Sequence, residues 1–168
     1  MINLDHITLT FPDGDGRVTA VDDVSLQAAA GTVTGIIGPS GSGKSSLLAV
    51  ASTLVRPDSG HVWIGDQDVA KLNRDAASKV RREQIGIVFQ QSNLLPALTA
   101  LDQLVVMNHV ASPKHRRPEA QVRARANELL EEVGLAGQGH KRPHQLSGGQ
   151  RQRVNIARAL MNEPRVLI

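Results

Sequence analysis

The chain has 168 residues, 40% of them hydrophobic, a formal net charge of +3, no cysteine, and Trp63, Phe11 and Phe89 as its only aromatics. That length and apolar content describe a single globular domain and not a disordered tail, while the lack of cysteine excludes disulfides and thiolate metal sites, and no apolar run reaches the length of a membrane span. The cationic clusters (Lys79, Arg81, Arg82; Lys114, Arg116, Arg117; Arg123, Arg125) read as solvated helix faces, and so few aromatics give no stacking platform for single strands, so no nucleic-acid partner is expected.

Apolar residues alternate over residues 2–11, with Ile2 and Leu4 in one phase and Ile7, Leu9 and Phe11 in the other. The slip of one residue predicts a bulge near Asp5 and His6. Pro12, Asp13, Gly14, Asp15 and Gly16 are turn chemistry, and a second strand over residues 18–26 completes an antiparallel hairpin. An apolar strand-like run (Val33, Ile36, Ile37) then enters Gly38, Pro39, Ser40, Gly41, Ser42, Gly43, Lys44, Ser45 and Ser46, and an amphipathic helical pattern of Leu47, Leu48, Ala51 and Leu54 follows. A glycine-rich loop between strand and helix is the phosphate-binding P-loop in the context it requires. Glycine and serine let successive backbone N–H groups turn inward on a polyphosphate, and the helix N-terminus adds partial positive charge. Lys44 is expected on the β- and γ-phosphate oxygens, and Ser45 offers its hydroxyl to Mg²⁺, a hard cation that prefers oxygen. The plainer reading, a glycine-rich turn with a solvated lysine, is disfavoured by the flanking elements.

Arg56, Pro57, Asp58, Ser59 and Gly60 form a turn before a short strand over residues 61–66, in which Trp63 is a packing residue. Asn73 caps a helix that ends in Arg81 and Arg82, and Ile85, Gly86, Ile87, Val88 and Phe89 read as a compact buried strand with Gln90 and Gln91 directly beyond it. Thr99 and Asp102 resemble a capping box opening a helix through about His109, residues 112–117 are a basic polar linker, and Pro118 takes the first position of a further helix. That helix carries Val122, Ala126, Leu129, Leu130 and Val133 on one face and closes at Gly134. His140 and His144 are four apart, but Pro143 between them argues against a helical metal pair. Leu146, Ser147, Gly148, Gly149 and Gln150 precede a helical run with Val154, Ala157, Leu160 and Met161. Ser147 can cap this helix, and the two glycines leave its N-terminal amides open, which makes either a second anion-binding end or simply a capped helix after a flexible turn.

The P-loop at residues 38–45, the segment Val88, Phe89, Gln90, Gln91, and residues 146–150 running into Arg151, Gln152 and Arg153 together resemble the nucleotide-binding domain of an ABC transporter. Residues 85–96 are similar to the subgroup that serves lipoprotein release, macrolide export and haem export. The resemblance covers essentially the whole chain and implies an α/β fold: a P-loop NTPase core of mostly parallel sheet with flanking helices, an N-terminal antiparallel β-subdomain and an inserted α-helical subdomain. Within one domain over 1–168, it places β-subdomain and P-loop core at 1–90, the helical subdomain at 91–145, and the signature motif, its helix and the start of a strand at 146–168.

The resemblance implies an ATPase subunit binding ATP and Mg²⁺, peripheral on the cytoplasmic face of the membrane, paired head to tail as a homodimer and joined to an integral membrane permease. ATP would lie on Gly38, Ser40, Gly41, Ser42, Gly43, Lys44, Ser45 and Ser46 of one copy and meet Ser147, Gly148, Gly149 and Gln150 of the other. Lys44 and Gln90 are the catalytic candidates, and Ser45 and Gln90 the metal candidates, with Gln90 near Mg²⁺ or the attacking water. Phe11 falls where the family stacks an aromatic on adenine; a hairpin core residue is the equal alternative.

Val166, Leu167 and Ile168 match the beginning of the family strand that leads to an acidic pair and, farther on, a switch histidine. None of those residues is present, so the expectation is a piece of a longer ATPase that binds nucleotide and alone turns it over slowly. Two other functions fit parts of the sequence: a non-transport ABC ATPase of DNA repair or translation, and a non-catalytic nucleotide-binding module.

Overall fold

The computed structural model describes residues 1–111 and 113–168, so Ser112 of the predicted basic linker lies outside the described residues. The chain divides into two compact units, Met1–Arg81 with Ile168 and Arg82–Leu167.

In the first unit β1 (Ile2–Asp13) and β2 (Gly16–Ala28) form the expected hairpin. On its other edge β1 pairs antiparallel with β3 (Ser59–Ile64), which pairs with β4 (Gln67–Asp68), giving the order β2-β1-β3-β4. The register of β1 shifts between Leu4 and Ile7, and His6 adopts a positive φ of 52°. That bulge is why Ile2, Leu4, Ile7 and Leu9 are all buried despite the change of phase. Gly60 meets the bulge: a Cβ there would stand 2.4 Å from the His6 carbonyl oxygen at a φ of +96°, so only glycine lets β3 approach. The helix α1 (Lys44–Ala51) buries Leu47, Val50 and Ala51, and Val21, Val62 and Ile64 of the sheet are buried as well. Each of these leucine, valine and isoleucine side chains contributes about 1.5–3 kcal/mol when fully buried.

The strand expected over residues 33–37 does not form: the segment joins no ladder, and Val33 and Ile37 (95% exposed) face solvent. Strand geometry depends on a neighbour to take its N–H and C=O groups, and no described strand of this unit lies beside the segment. Apolar sequence alone therefore did not decide the structure here.

The helix α2 (Arg74–Gln84) begins in the first unit, where the Asn73 side chain caps it by accepting the Ala76 N–H at 2.9 Å. In the second unit β5 (Ile85–Gly86) pairs in parallel with β6 (Val166–Leu167), so the strand expected over residues 85–89 stops after two residues. The helix expected from Thr99 to His109 is interrupted at Val106 into α3 (Ala100–Val105) and α4 (Met107–Val110). At that point the His109 N–H bonds the Val106 carbonyl three residues back at 3.0 Å, a tighter turn than that of an α-helix. Thr99 does cap α3, accepting the Asp102 N–H at 3.1 Å, but the Asp102 carboxylate accepts a hydrogen bond from the threonine hydroxyl at 2.6 Å instead of reaching back to the backbone.

Pro118 precedes α5 (Glu119–Glu132) as its cap, one position earlier than expected, and Gly134 (φ 71°) follows its end. With α6 (Gly148–Leu160), the helices α3 and α5 enclose a core of Leu104, Val122, Ala126, Leu129, Val154 and Ala157.

Candidate functional site

Residues 38–46 form a loop whose last glycine is fixed by its surroundings. Gly43 caps α1 with φ 84°, and a Cβ on it would stand 2.1 Å from the backbone oxygen of Ala20 in β2. Any side chain at this position would have to push β2 aside, so Gly43 docks the loop on the sheet. Lacking a side chain, it also leaves the first-turn amides of α1 without a capping acceptor. The Lys44 ammonium folds back over the loop and donates to the carbonyl oxygens of Gly38 (2.9 Å) and Pro39 (2.5 Å) and to Ser42 Oγ (3.2 Å). Its three donors thus point at the loop interior, where phosphate oxygens would substitute for neutral oxygens. Gly38, Ser40, Gly41, Ser42 and Ser45 are exposed, and Ser46 is half-buried.

Phe11 pairs with Val18 near the tip of the hairpin and is 38% exposed, so the reading of it as a hairpin core residue is corrected. Trp63 is half-buried and stacks on His61, ring centroids 6.1 Å apart, while His61 Nδ1 and Asp68 Oδ2 lie 2.7 Å apart. Burial pushes the Asp68 carboxyl up, but hydrogen bonds from His61 and from the Ala70 and Val62 amides outweigh it and hold the group below its usual range.

In the second unit Ser147 caps α6. Its Oγ accepts the Gln150 N–H at 3.2 Å while Gln150 Oε1 accepts the Ser147 N–H at 2.8 Å, a reciprocal capping box. The capped-helix reading and the anion-site reading are compatible, because a hydroxyl that accepts one hydrogen bond still carries its own proton to donate. Gly148 and Gly149 at the start of α6 are exposed.

Gln90 and Gln91 are exposed and make no side-chain hydrogen bond to the described residues. The loop that carries them is held from α6. Asn155, fully buried, donates through Nδ2 to the Phe89 carbonyl at 2.9 Å, and Arg158 donates to the carbonyls of Ser92 (2.9 Å) and Asn93 (3.1 Å) and to Asn155 Oδ1 (2.9 Å). Burial lowers the Arg158 pKa. Gln103, also fully buried, holds the next stretch, donating to the Leu95 carbonyl at 2.6 Å and accepting the Leu95 N–H at 3.2 Å. Sequence reasoning passed over all three. The available signal was a polar residue on an apolar face: Asn155 beside Val154 and Ala157, and Gln103 beside Leu104.

Comparison with known proteins agrees with this arrangement. A family profile described as ABC transporter matches residues 21–168. The chain is 44% identical over 170 residues to the methionine import ATP-binding protein MetN 1 of Yersinia pestis, covering all of this chain and 48% of that protein. It is 44% identical to the lipoprotein-releasing system ATP-binding protein LolD of Maricaulis maris, covering 72% of it, and 41% identical to the macrolide export ATP-binding/permease protein MacB of Sodalis glossinidius, covering 25%. It therefore spans about half the length of the methionine-import relatives. Relatives named for methionine import, lipoprotein release and macrolide export stand at 44%, 44% and 41% identity, so what is shared is the ATP-binding part and not a direction of transport. The fold matches the dimeric ATP-binding cassette MJ0796, solved bound to ADP and phosphate, with a TM-score of 0.90 at 39% identity over 99% of this chain and 72% of that one. The profile takes in both the P-loop and the capped start of α6, the fold is that of an ATP-binding cassette, and the chain belongs to the ABC transporter family.

Proposed function

We propose that this chain is the ATP-binding part of a transporter ATPase that drives transport through a membrane subunit. The observation that carries the proposal is the Lys44 ammonium drawn over residues 38–42 at the start of α1. A cation facing inward among open amides at a helix N-terminus is built for a polyphosphate.

In this reading Lys44 exchanges its loop oxygens for the β- and γ-phosphate oxygens of ATP, with Gly38, Ser40, Gly41, Ser42, Gly43, Ser45 and Ser46 around the phosphates and Phe11 stacked on adenine. Among the described residues no group of three His, Asp or Glu could hold a metal ion. The donors are instead hard oxygens, the Ser45 hydroxyl and the Gln90 amide, which suits Mg²⁺, a cation that takes few protein ligands alongside substrate phosphates. Bound there, Mg²⁺ supplies charge neutralisation to the phosphates.

A second copy, docked head to tail, brings Ser147, Gly148, Gly149 and Gln150 to the γ-phosphate: the serine hydroxyl donates while its cap bond persists. Pairing in the ATP state and separation after hydrolysis then shift the membrane subunit between conformations. The structural relative is a dimer, as this scheme needs. The scheme assigns the membrane crossing to the permease and puts this chain on the cytoplasmic face; no described helix is long and apolar enough to cross a membrane.

The test is ATP affinity of the chain against Lys44→Ala by calorimetry. Loss of a charge-assisted contact of this kind costs about 1.5–3 kcal/mol, so affinity should fall roughly tenfold to hundredfold. Equal affinity of the two proteins would remove the P-loop as the binding site.

A further inference from the structure

The loop of residues 89–93 lies beyond β5, which ends at Gly86, and its carbonyls join no ladder among the described residues. Three of them, on Phe89, Ser92 and Asn93, are satisfied by two side chains of one helix, Asn155 and Arg158 of α6. Asn155 is fully buried, and the two side chains are tied to each other at 2.9 Å. Among the described residues every hydrogen-bond partner of Arg158 is a neutral oxygen. A partly desolvated guanidinium without a carboxylate is costly, and only several well-aimed oxygens offset the cost. The result is directional: backbone carbonyls are pulled inward to α6, while the Gln90 and Gln91 side chains between them are left facing out. The same helix begins at the Ser147 cap, two to three turns away along its axis.

We propose that Asn155 and Arg158 are positioning residues, a latch through which α6 sets where Gln90 stands, so that the capped end of α6 and the Gln90 loop move as one body. The proposal rests on the nucleotide reading above, because it gives Gln90 a task at Mg²⁺. It predicts that breaking the latch removes the contribution of Mg²⁺ to nucleotide binding and leaves the P-loop's own affinity intact.

The experiment uses the whole chain, its variants Asn155→Ala, Arg158→Gln and Gln90→Ala, and the double variant of Arg158→Gln with Gln90→Ala. Urea unfolding identifies which of them fold. Two quantities are read: hydrogen exchange of peptides covering residues 89–95 against those of the α5 core, and ATP affinity with and without Mg²⁺. In the parent chain Mg²⁺ should tighten ATP about tenfold, and each variant should lose most of that gain while keeping its Mg²⁺-free affinity within about twofold. Exchange should quicken in residues 89–95 for the latch variants and stay unchanged in the core. The double variant should be no weaker than Gln90→Ala alone.

Unchanged exchange in the loop, a retained Mg²⁺ gain, or additive losses in the double variant would each overturn the latch while leaving the nucleotide reading standing. Failure of the parent chain to bind ATP at all would overturn both. Should Arg158→Gln fail to fold, Asn155→Ala, which removes only the Phe89 contact and the tie to Arg158, carries the same test.

Discussion

His6 and Asp23 both occupy left-handed backbone, with φ of 52° and 47°, and their side chains meet at 2.7 Å on the exposed face of the hairpin. The hydrogen bond to Asp23 raises the His6 pKa above 6.5, with the charges of Asp23 and then Asp5 adding to it. A raised folded-state pKa means that the protonated form is the better bound, so its contribution to stability is fully present below about pH 6.5 and is lost as pH rises through the folded value. Urea unfolding across that window should show stability declining with pH, and His6→Asn, which tolerates the same backbone, should flatten the decline. At this scale legibility followed distance along the chain. The P-loop residues could be read directly because their chemistry is local, each loop oxygen on Lys44 lying within six residues of it. Asn155 and Arg158 could not, because the carbonyls they hold lie 65 or 66 residues earlier.

Among the elements, α6 was the most legible, since its cap, its glycines and its apolar spacing all agree. Ser147→Ala removes one half of the reciprocal box and should cost about 1 kcal/mol of stability, measured by urea unfolding. No change would mean that the Gln150 half alone holds the helix start. The strands were less legible than the helices, for a physical reason. A helix satisfies its backbone within its own sequence, whereas a strand depends on what lies beside it. Residues 33–37 and 87–89 carry strand-like apolar runs and yet stay outside any ladder. The hairpin escaped this difficulty because its turn brings its own partner strand with it.

At the scale of the whole chain, two units each hold a core of their own. In the second, Leu129 is fully buried among α3, α5 and α6, and Leu129→Ala should cost about 2–5 kcal/mol by urea unfolding, as a cavity replaces the lost side chain. A cost below about 1 kcal/mol would mean that this core closes up over the gap.

Residues 33–37 bear on how the molecule behaves in company. They join no ladder among the described residues and carry Val33 and Ile37 into solvent. An apolar stretch outside any ladder is open to pairing with a neighbouring strand, and its composition holds neither a charge nor a proline to discourage that. A neighbouring strand laid against this stretch would take its backbone groups and the Val33 and Ile37 side chains out of water together.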